Sequence, residues 1–219
     1  GAFSCSQLLV EAGIERAAFF SLLRPSIPIP SEATAIHGIT DAVAAEAPLL
    51  VEVAAELARV AADAVPCGYN AIHYDRPILH RYITGTDCPL FDPGQLWVDP
   101  LVIIRKADRY VGGKGRHKLG SVCARWGVPM APGEEHTALG DVRAVGRLLV
   151  QLIDRGALRT GTPLGRLTQY TLERAEEQHQ DFQRYLARVK AQAAQTQLDL
   201  DGGTTDADAG EDADRRGPM

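Results

Sequence analysis

The sequence lacks paired cysteines, long apolar runs and a recognisable signal peptide. Its four cysteines stand singly, with no CxxC spacing, which argues against both a disulfide framework and a structural zinc site. No apolar run approaches the length of a membrane span. These absences predict a cytoplasmic protein with reduced thiols and no membrane partner.

Negative charge is concentrated at the C-terminal end. The whole chain carries −5, and residues 199–219, with seven acids and two bases, carry −5 by themselves. Residues 1–198 are therefore neutral as a set, so the acidic composition does not exclude an anionic ligand such as nucleic acid. With 45% hydrophobic residues among 219, the chain can bury one sizeable core.

The order of strand-like and helix-like segments indicates the fold class. Two apolar segments joined at Gly13 predict a hairpin, and a proline-rich connector around Pro28 and Pro30 follows. A helix is predicted over residues 49–64, and "VPCGYN" is expected to form a short buried strand. Early strands followed by strands alternating with helices predict an α/β three-layer domain with a mixed central sheet.

The second half of the chain is predicted to be mainly helical. Helices are expected to start at Asp75, to end at Gly127 and to end at Gly156, and a long polar helix or helix pair follows. The acidic end has the composition of a disordered segment. We therefore divide the chain into a domain over 1–157, a C-terminal helical extension over 158–197 and a disordered acidic tail over 198–219.

Three short segments combine residue types that can carry chemistry. "GYNAIHYDRPIL" places Asn70 at the end of a predicted strand and Asp75 at a helix start. "EEHTALGD" places His136 before a helix and Asp141 in its first turn, and "PIPSEATAIHGIT" contains His37. Each segment alone is explained as well by helix capping or loop structure. A histidine near an aspartate also suits a general base beside a Mg²⁺ or Mn²⁺ ligand.

The order and spacing of the three segments together resemble the DEDDh family of 3′→5′ exonucleases, which includes the proofreading subunit of bacterial DNA polymerase III. The resemblance covers about residues 1–155. It implies a ribonuclease-H-like fold and two Mg²⁺ or Mn²⁺ ions that hydrolyse the 3′-terminal phosphodiester of DNA or short RNA. It further implies that Asp75 and Asp141 are metal ligands, that His136 is the general base, and that His37 and Asn70 lie near the terminal nucleotide.

The chain departs from this family in its first motif. The family has a D-x-E pair on its first strand, and here no acid before the tail is followed two positions later by another acid. Because the chain begins at Gly1, we expect that the first strand has been truncated. Two carboxylates cannot balance two divalent ions at a phosphodiester, so we expect impaired activity. A catalytically inactive nucleic-acid-binding or polymerase-associated subunit is one alternative, and a coincidental match in an unrelated α/β protein is another.

A basic, glycine-rich segment, "DRYVGGKGRHKLG", precedes the helix that ends at Gly127. It either contacts a nucleic-acid backbone or is a solvated loop, and we take Lys118 as its candidate substrate-binding residue. Trp97 and Trp126 lie among apolar residues, which favours packing in the core over stacking on bases. Single-stranded DNA or RNA 3′ ends are the expected partners, with a DNA polymerase as a further candidate.

Overall fold

A computed structural model describes residues 4–11, 14–61, 64–83, 95–131, 133–134 and 137–202. Its strands are β1 (Ser4–Glu11) and β2 (Ile14–Leu22), and a 3-10 helix covers Leu50–Val53. Its α-helices are α1 (Ser31–His37), α2 (Asp41–Ala45), α3 (Ala54–Ala61), α4 (Asp75–Ile83), α5 (Pro100–Ala107), α6 (Leu119–Trp126), α7 (Ala138–Asp154) and α8 (Leu164–Gly202).

The predicted hairpin is confirmed. Strands β1 and β2 pair antiparallel from Ser4 opposite Leu22 to Glu11 opposite Ile14, with a register shift between Leu9 and Val10. The turn expected at Gly13 lies outside the described residues. A parallel bridge joins Cys67 to Val98 outside the two-stranded sheet of this hairpin.

The structure differs from the sequence prediction in two segments, the expected strand "VPCGYN" and the proline-rich connector. "VPCGYN" forms a single bridge at Cys67, an exposed residue, and not a buried strand. The connector contains α1 because the extended backbone ends at Pro30, and helix-compatible residues then run to Gly38. Gly38 has a φ of 74°, a left-handed conformation that ends a helix without a Cβ clash.

Helices α4 and α6 have the predicted start and end, whereas the helix predicted over residues 49–64 is a 3-10 helix over Leu50–Val53 followed by α3. Helix α4 begins at Asp75, with Pro77 tolerated in its first turn, and α6 ends at Gly127, which is left-handed. Thr40 caps α2 by accepting a hydrogen bond from the amide of Val43. None of the helices in the described part of the chain has the length and apolar composition that a bilayer crossing requires.

The main apolar core lies where α5, α6 and α7 meet. Trp126 is buried within it, and Trp97 is buried elsewhere, which confirms that both tryptophans pack internally. Arg143 on α7 forms an ion pair with Glu15 on β2 at 3.1 Å and so connects this helix to the hairpin. The fully buried members of the core include Ile104, Val122, Ala144, Leu148 and Leu152.

The chain divides into two compact units, Gly1–Ala175 and Glu176–Met219, with the boundary inside α8. The predicted division at residues 157 and 197 stays a prediction. Because α8 runs to Gly202, the first residues of the expected disordered tail are helical. The rest of that tail lies outside the described residues.

Candidate active site

Asn70 and Asp75 lie in one compact turn that leads into α4. The amide of Tyr74 donates to the carbonyl of Asn70 at 3.1 Å, and the amide of Arg76 donates to the carbonyl of Ala71 at 2.8 Å. Asn70 has a φ of 62°, a left-handed conformation that asparagine tolerates better than most residues. These two backbone hydrogen bonds therefore fix the conformation of the chain between the two candidate residues.

Asp99 holds this turn from the neighbouring segment. Only 1% of the residue is exposed, and its carboxylate accepts hydrogen bonds from the amides of Asn70 (3.0 Å), Ile72 (3.3 Å) and Leu101 (3.0 Å). Burial raises the pKa of Asp99, and the three amide donors oppose that rise. The third donor belongs to α5, which Asp99 caps, so one carboxylate joins the turn to a core helix.

Sequence reasoning missed Asp99 as part of the site. A signal was present, since an aspartate immediately before a proline and an apolar helix is typical of a helix cap. That signal predicts only the contact with Leu101. The contacts with Asn70 and Ile72 depend on tertiary structure, because 29 and 27 residues separate them from Asp99.

Asp75 is partly buried at the first position of α4. Burial raises its pKa most, and the nearby charge of Asp99 raises it further. A nearby cation would stabilise the ionised form of Asp75, which burial and the charge of Asp99 both disfavour. Its position and chemistry are therefore compatible with the predicted role of metal ligand.

Asp141 lies in the first turn of α7, as predicted. Thr137 caps the helix by accepting from the amide of Gly140 at 3.1 Å, and the carbonyl of Thr137 accepts from the amide of Asp141 at 2.9 Å. A Cβ on Gly140 would lie 2.1 Å from the carbonyl oxygen of Glu134, so a glycine is required at this close approach. The chain before the helix is thereby packed directly against its first turn.

A short series of contacts leads from α7 to the Asn70 turn. Burial first, and the charge of Asp141 second, raise the pKa of the Cys123 thiol on α6, which places this aspartate near that helix. The hydroxyl of Tyr69, immediately before Asn70, donates to the carbonyl of His117 at 2.6 Å. The exposed Lys118 follows His117 and is the N-cap residue of α6, so this candidate lies next to the turn that carries Asn70.

Of the two candidate histidines, the structure describes only His37. His37 ends α1, is partly buried, and accepts a hydrogen bond at Nδ1 from the amide of Ile39 at 3.0 Å. His136 lies outside the described residues. The described contacts thus associate Asn70, Asp75 and Lys118, and they reach Asp141 through α6. The gathering of all six candidates at one point stays a prediction.

The fit to a divalent ion is incomplete in the described part of the chain. Carboxylates such as Asp75 and Asp141 are the donors that Mg²⁺ and Mn²⁺ prefer. Among the residues that the structure describes, however, no group of three or more His, Cys, Asp or Glu side chains could hold a metal ion. The described residues therefore do not by themselves form the two-ion site that the resemblance implies.

The sequence is similar to a known protein family and to a bacterial relative. The family model described as Exonuclease (RNase_T) matches residues 3–149. A DNA polymerase III subunit epsilon-like protein of Rhodobacter capsulatus is 32% identical over 151 residues, which make up 67% of this chain and 20% of that protein. This chain therefore spans about a fifth of the length of that relative.

Solved structures share the fold at low sequence identity. Exonuclease X in complex with 5′-overhanging duplex DNA has a TM-score of 0.57 at 20% identity, covering 77% of this chain and 90% of that one. The nuclease domain of a DEDDh-family 3′-exonuclease bound to rAMP has a TM-score of 0.54 at 15% identity, covering 72% and 83%. These similarities confirm the predicted α/β, ribonuclease-H-like fold.

Proposed function

This chain belongs to the exonuclease family that the RNase_T model describes, and from that membership we propose that it removes nucleotides from the 3′ ends of DNA or short RNA. The proposed reaction is hydrolysis of the terminal phosphodiester bond. Water attacks phosphorus, the 3′-oxygen of the neighbouring nucleotide leaves, and a nucleoside monophosphate is released. The observation that carries the proposal is the match over residues 3–149, which contains Asp75, His136 and Asp141.

We assign the roles as follows. Asp75 and Asp141 would hold Mg²⁺ or Mn²⁺, and the metal would supply activation of water and balance of the phosphate charge. His136 accepts the proton of the attacking water, because an imidazole titrates near neutral pH. His37 and Asn70 contact the terminal nucleotide, and Lys118 contacts a phosphate. The shared turn of Asn70 and Asp75 supports the placement of these two residues side by side.

The activity of this chain should be low. Family members are expected to hold two ions with four carboxylates, and Asp75 and Asp141 supply two of them. Because residues 1–219 supply these two candidate ligands and the described residues contain no three-ligand cluster, we expect this chain to bind metal weakly. Weak metal binding lowers turnover without preventing nucleic acid from binding.

The alternative is a nucleic-acid-binding subunit without catalysis, since weak metal binding leaves nucleic-acid binding possible. The polymerase III subunit relative supports a DNA polymerase as a candidate partner in either case. The cytoplasmic location inferred from the single cysteines stays a prediction.

A gel assay separates the two functions. A 5′-labelled single strand of DNA or RNA is incubated with the chain and increasing Mn²⁺, and the product lengths are followed with time. We expect slow, stepwise shortening from the 3′ end that His136→Ala abolishes. Shortening as fast as in an exonuclease with all four carboxylates would show that the chain is not impaired. No shortening at saturating Mn²⁺ would favour the non-catalytic subunit.

A further inference from the structure

The segment between α5 and α6, with its flanking turns, carries an unusual positive charge. Residues 105–125 contain seven Lys or Arg and a single acid, Asp108, in a chain whose net charge is −5. Asp108 is already neutralised, because one of its oxygens accepts from Arg125 at 2.6 and 2.8 Å and from the indole of Trp126 at 3.1 Å. Asp108 therefore does not balance the charge of the exposed cations of this segment, which include Arg109, Lys114, Arg116 and Lys118.

We define the Tyr110 surface as Arg109, Tyr110, Lys114, Arg116 and Lys118, all of which are exposed. No carboxylate of the described residues lies within the 4.0 Å of an ion pair from any of its four cations. Exposed cations on a folded surface usually have acidic neighbours, and a stripe without them is typical of a site for phosphates.

Tyr110 is an exposed aromatic residue among these cations. It is 85% exposed, more than any other large hydrophobic residue in the described ranges. The guanidinium of Arg109 lies over its ring, 4.6 Å from the centroid. One face of the ring is thus covered by a cation, and the high exposure leaves the other face open to a planar ligand.

The backbone under this surface is held in place. Arg125 donates from one terminal nitrogen to the carbonyls of Arg116 (3.1 Å) and Ser121 (3.3 Å), while its other nitrogens bind Asp108. Gly113 and Gly115 provide the left-handed turns, with φ of 106° and 79°. A ligand that binds here does not have to order the loop first, which reduces the entropic cost of binding.

The surface adjoins the turn of the proposed nuclease site. Tyr69 donates to the carbonyl of His117 at 2.6 Å, and Tyr69 is followed directly by Asn70. A strand whose 3′ end lies at Asn70 and Asp75 would therefore have this surface close to its preceding nucleotides.

From these contacts we propose that the Tyr110 surface binds the single-stranded segment behind the 3′ end, with its cations on phosphates and the Tyr110 ring stacked on an unpaired base. The inference rests on the proposed function for the position of the 3′ end. Bases in a duplex are stacked on each other and are not open to an external ring, so the surface fits a single strand. DNA and RNA share this chemistry.

The first test measures binding without hydrolysis. Fluorescence anisotropy is recorded for labelled single strands of DNA and of RNA, with EDTA present. Removing one base–aromatic stack, as in Tyr110→Ala, should weaken binding about 5- to 150-fold, whereas Tyr110→Phe should bind within about twofold of wild type. Tyr185→Ala is the matched control, because Tyr185 is also exposed, at 59%, and lies in the other compact unit. Equal binding by Tyr110→Ala and wild type would overturn the proposal.

The second test isolates the cations. The double variant Lys114→Gln, Arg116→Gln should flatten the dependence of log K on log salt by about 0.7 for each phosphate of a single strand that the protein no longer neutralises. Arg188→Gln with Lys190→Gln makes the same change of net charge on α8 and should leave the slope unchanged. An equal decrease in the slope of log K against log salt in both double variants would mean that only the net charge of the protein matters. That result would contradict a specific binding surface.

The third test locates the stacked base and separates this inference from the nuclease proposal. Single abasic sites are placed along the strand, and one position should abolish the difference between wild type and Tyr110→Ala. If no position does so, or if blunt duplex shows the same difference, the proposal fails. Loss of binding in Tyr110→Ala, together with no 3′ shortening, would keep the surface and reject the nuclease. Shortening of the strand from its 3′ end, together with equal binding by Tyr110→Ala and wild type, would keep the nuclease and reject the surface.

Discussion

The buried carboxylate of Asp99 accepts a hydrogen bond of 3.0 Å from the backbone amide of Asn70, although 29 residues of sequence separate the two. Through this bond the cap of a core helix also sets the turn that carries the candidate site. The charge of the same carboxylate also raises the pKa of Asp75. Asp99 therefore positions the backbone of the Asn70 turn and disfavours an unbalanced negative charge on Asp75.

Asp99→Ala should destabilise the fold strongly. The change leaves the amides of Asn70, Ile72 and Leu101 without their acceptor in a buried place, and an unsatisfied buried donor costs about 1–3 kcal/mol. Urea unfolding should therefore show a loss of at least about 2 kcal/mol. The exposed Asp154, changed to Ala, should remain within about 0.5 kcal/mol of wild type. Similar midpoints for the two variants would show that Asp99 does not hold the turn.

Asp75→Asn should stabilise the fold at neutral pH. Burial and Asp99 raise the pKa of Asp75, so the folded protein binds this proton more tightly than the unfolded chain does. Ionisation of Asp75 therefore lowers stability as the pH rises from the ordinary value of 3.8 through the raised folded value. The variant should melt higher than wild type at neutral pH, and the difference should vanish below 3.8.

Thermal melts of both proteins across the acidic and neutral range check this sign. Asp154→Asn controls for the introduction of an amide at an exposed position. A variant that melts lower than wild type at neutral pH would mean that Asp75 stabilises the fold as an anion, against the burial that the structure shows.

Gly140→Ala should be destabilising although it lies in a helix, where alanine is normally preferred. The new Cβ would stand 2.1 Å from the carbonyl oxygen of Glu134 and 2.7 Å from the hydroxyl of Thr137, so backbone must move. We expect a loss of about 1–3 kcal/mol. Gly120→Ala on α6 is the control, because nothing lies within 4 Å of its added Cβ, and it should gain about 0.4–1 kcal/mol. A gain in both variants would contradict the packing of the chain before α7.

The sequence predicted the residues that act locally and missed those that act through tertiary contacts. The helix start at Asp75 and the helix end at Gly127 follow from capping chemistry within one turn. The role of Asp99 was missed because its decisive contacts are far away in sequence. Helix α1 was missed because the proline-rich segment was interpreted only as a connector, whereas a helix begins directly after Pro30.

Manganese binding tests the central claim most directly, namely that Asp75 and Asp141 bind the same divalent ions. Mn²⁺ bound to the chain is measured by electron paramagnetic resonance, without nucleic acid, for wild type, Asp75→Asn, Asp141→Asn and the control Asp154→Asn. We expect weak binding in wild type, its loss in each of the first two variants and its retention in the control. Binding that survives either of the two substitutions would contradict the account.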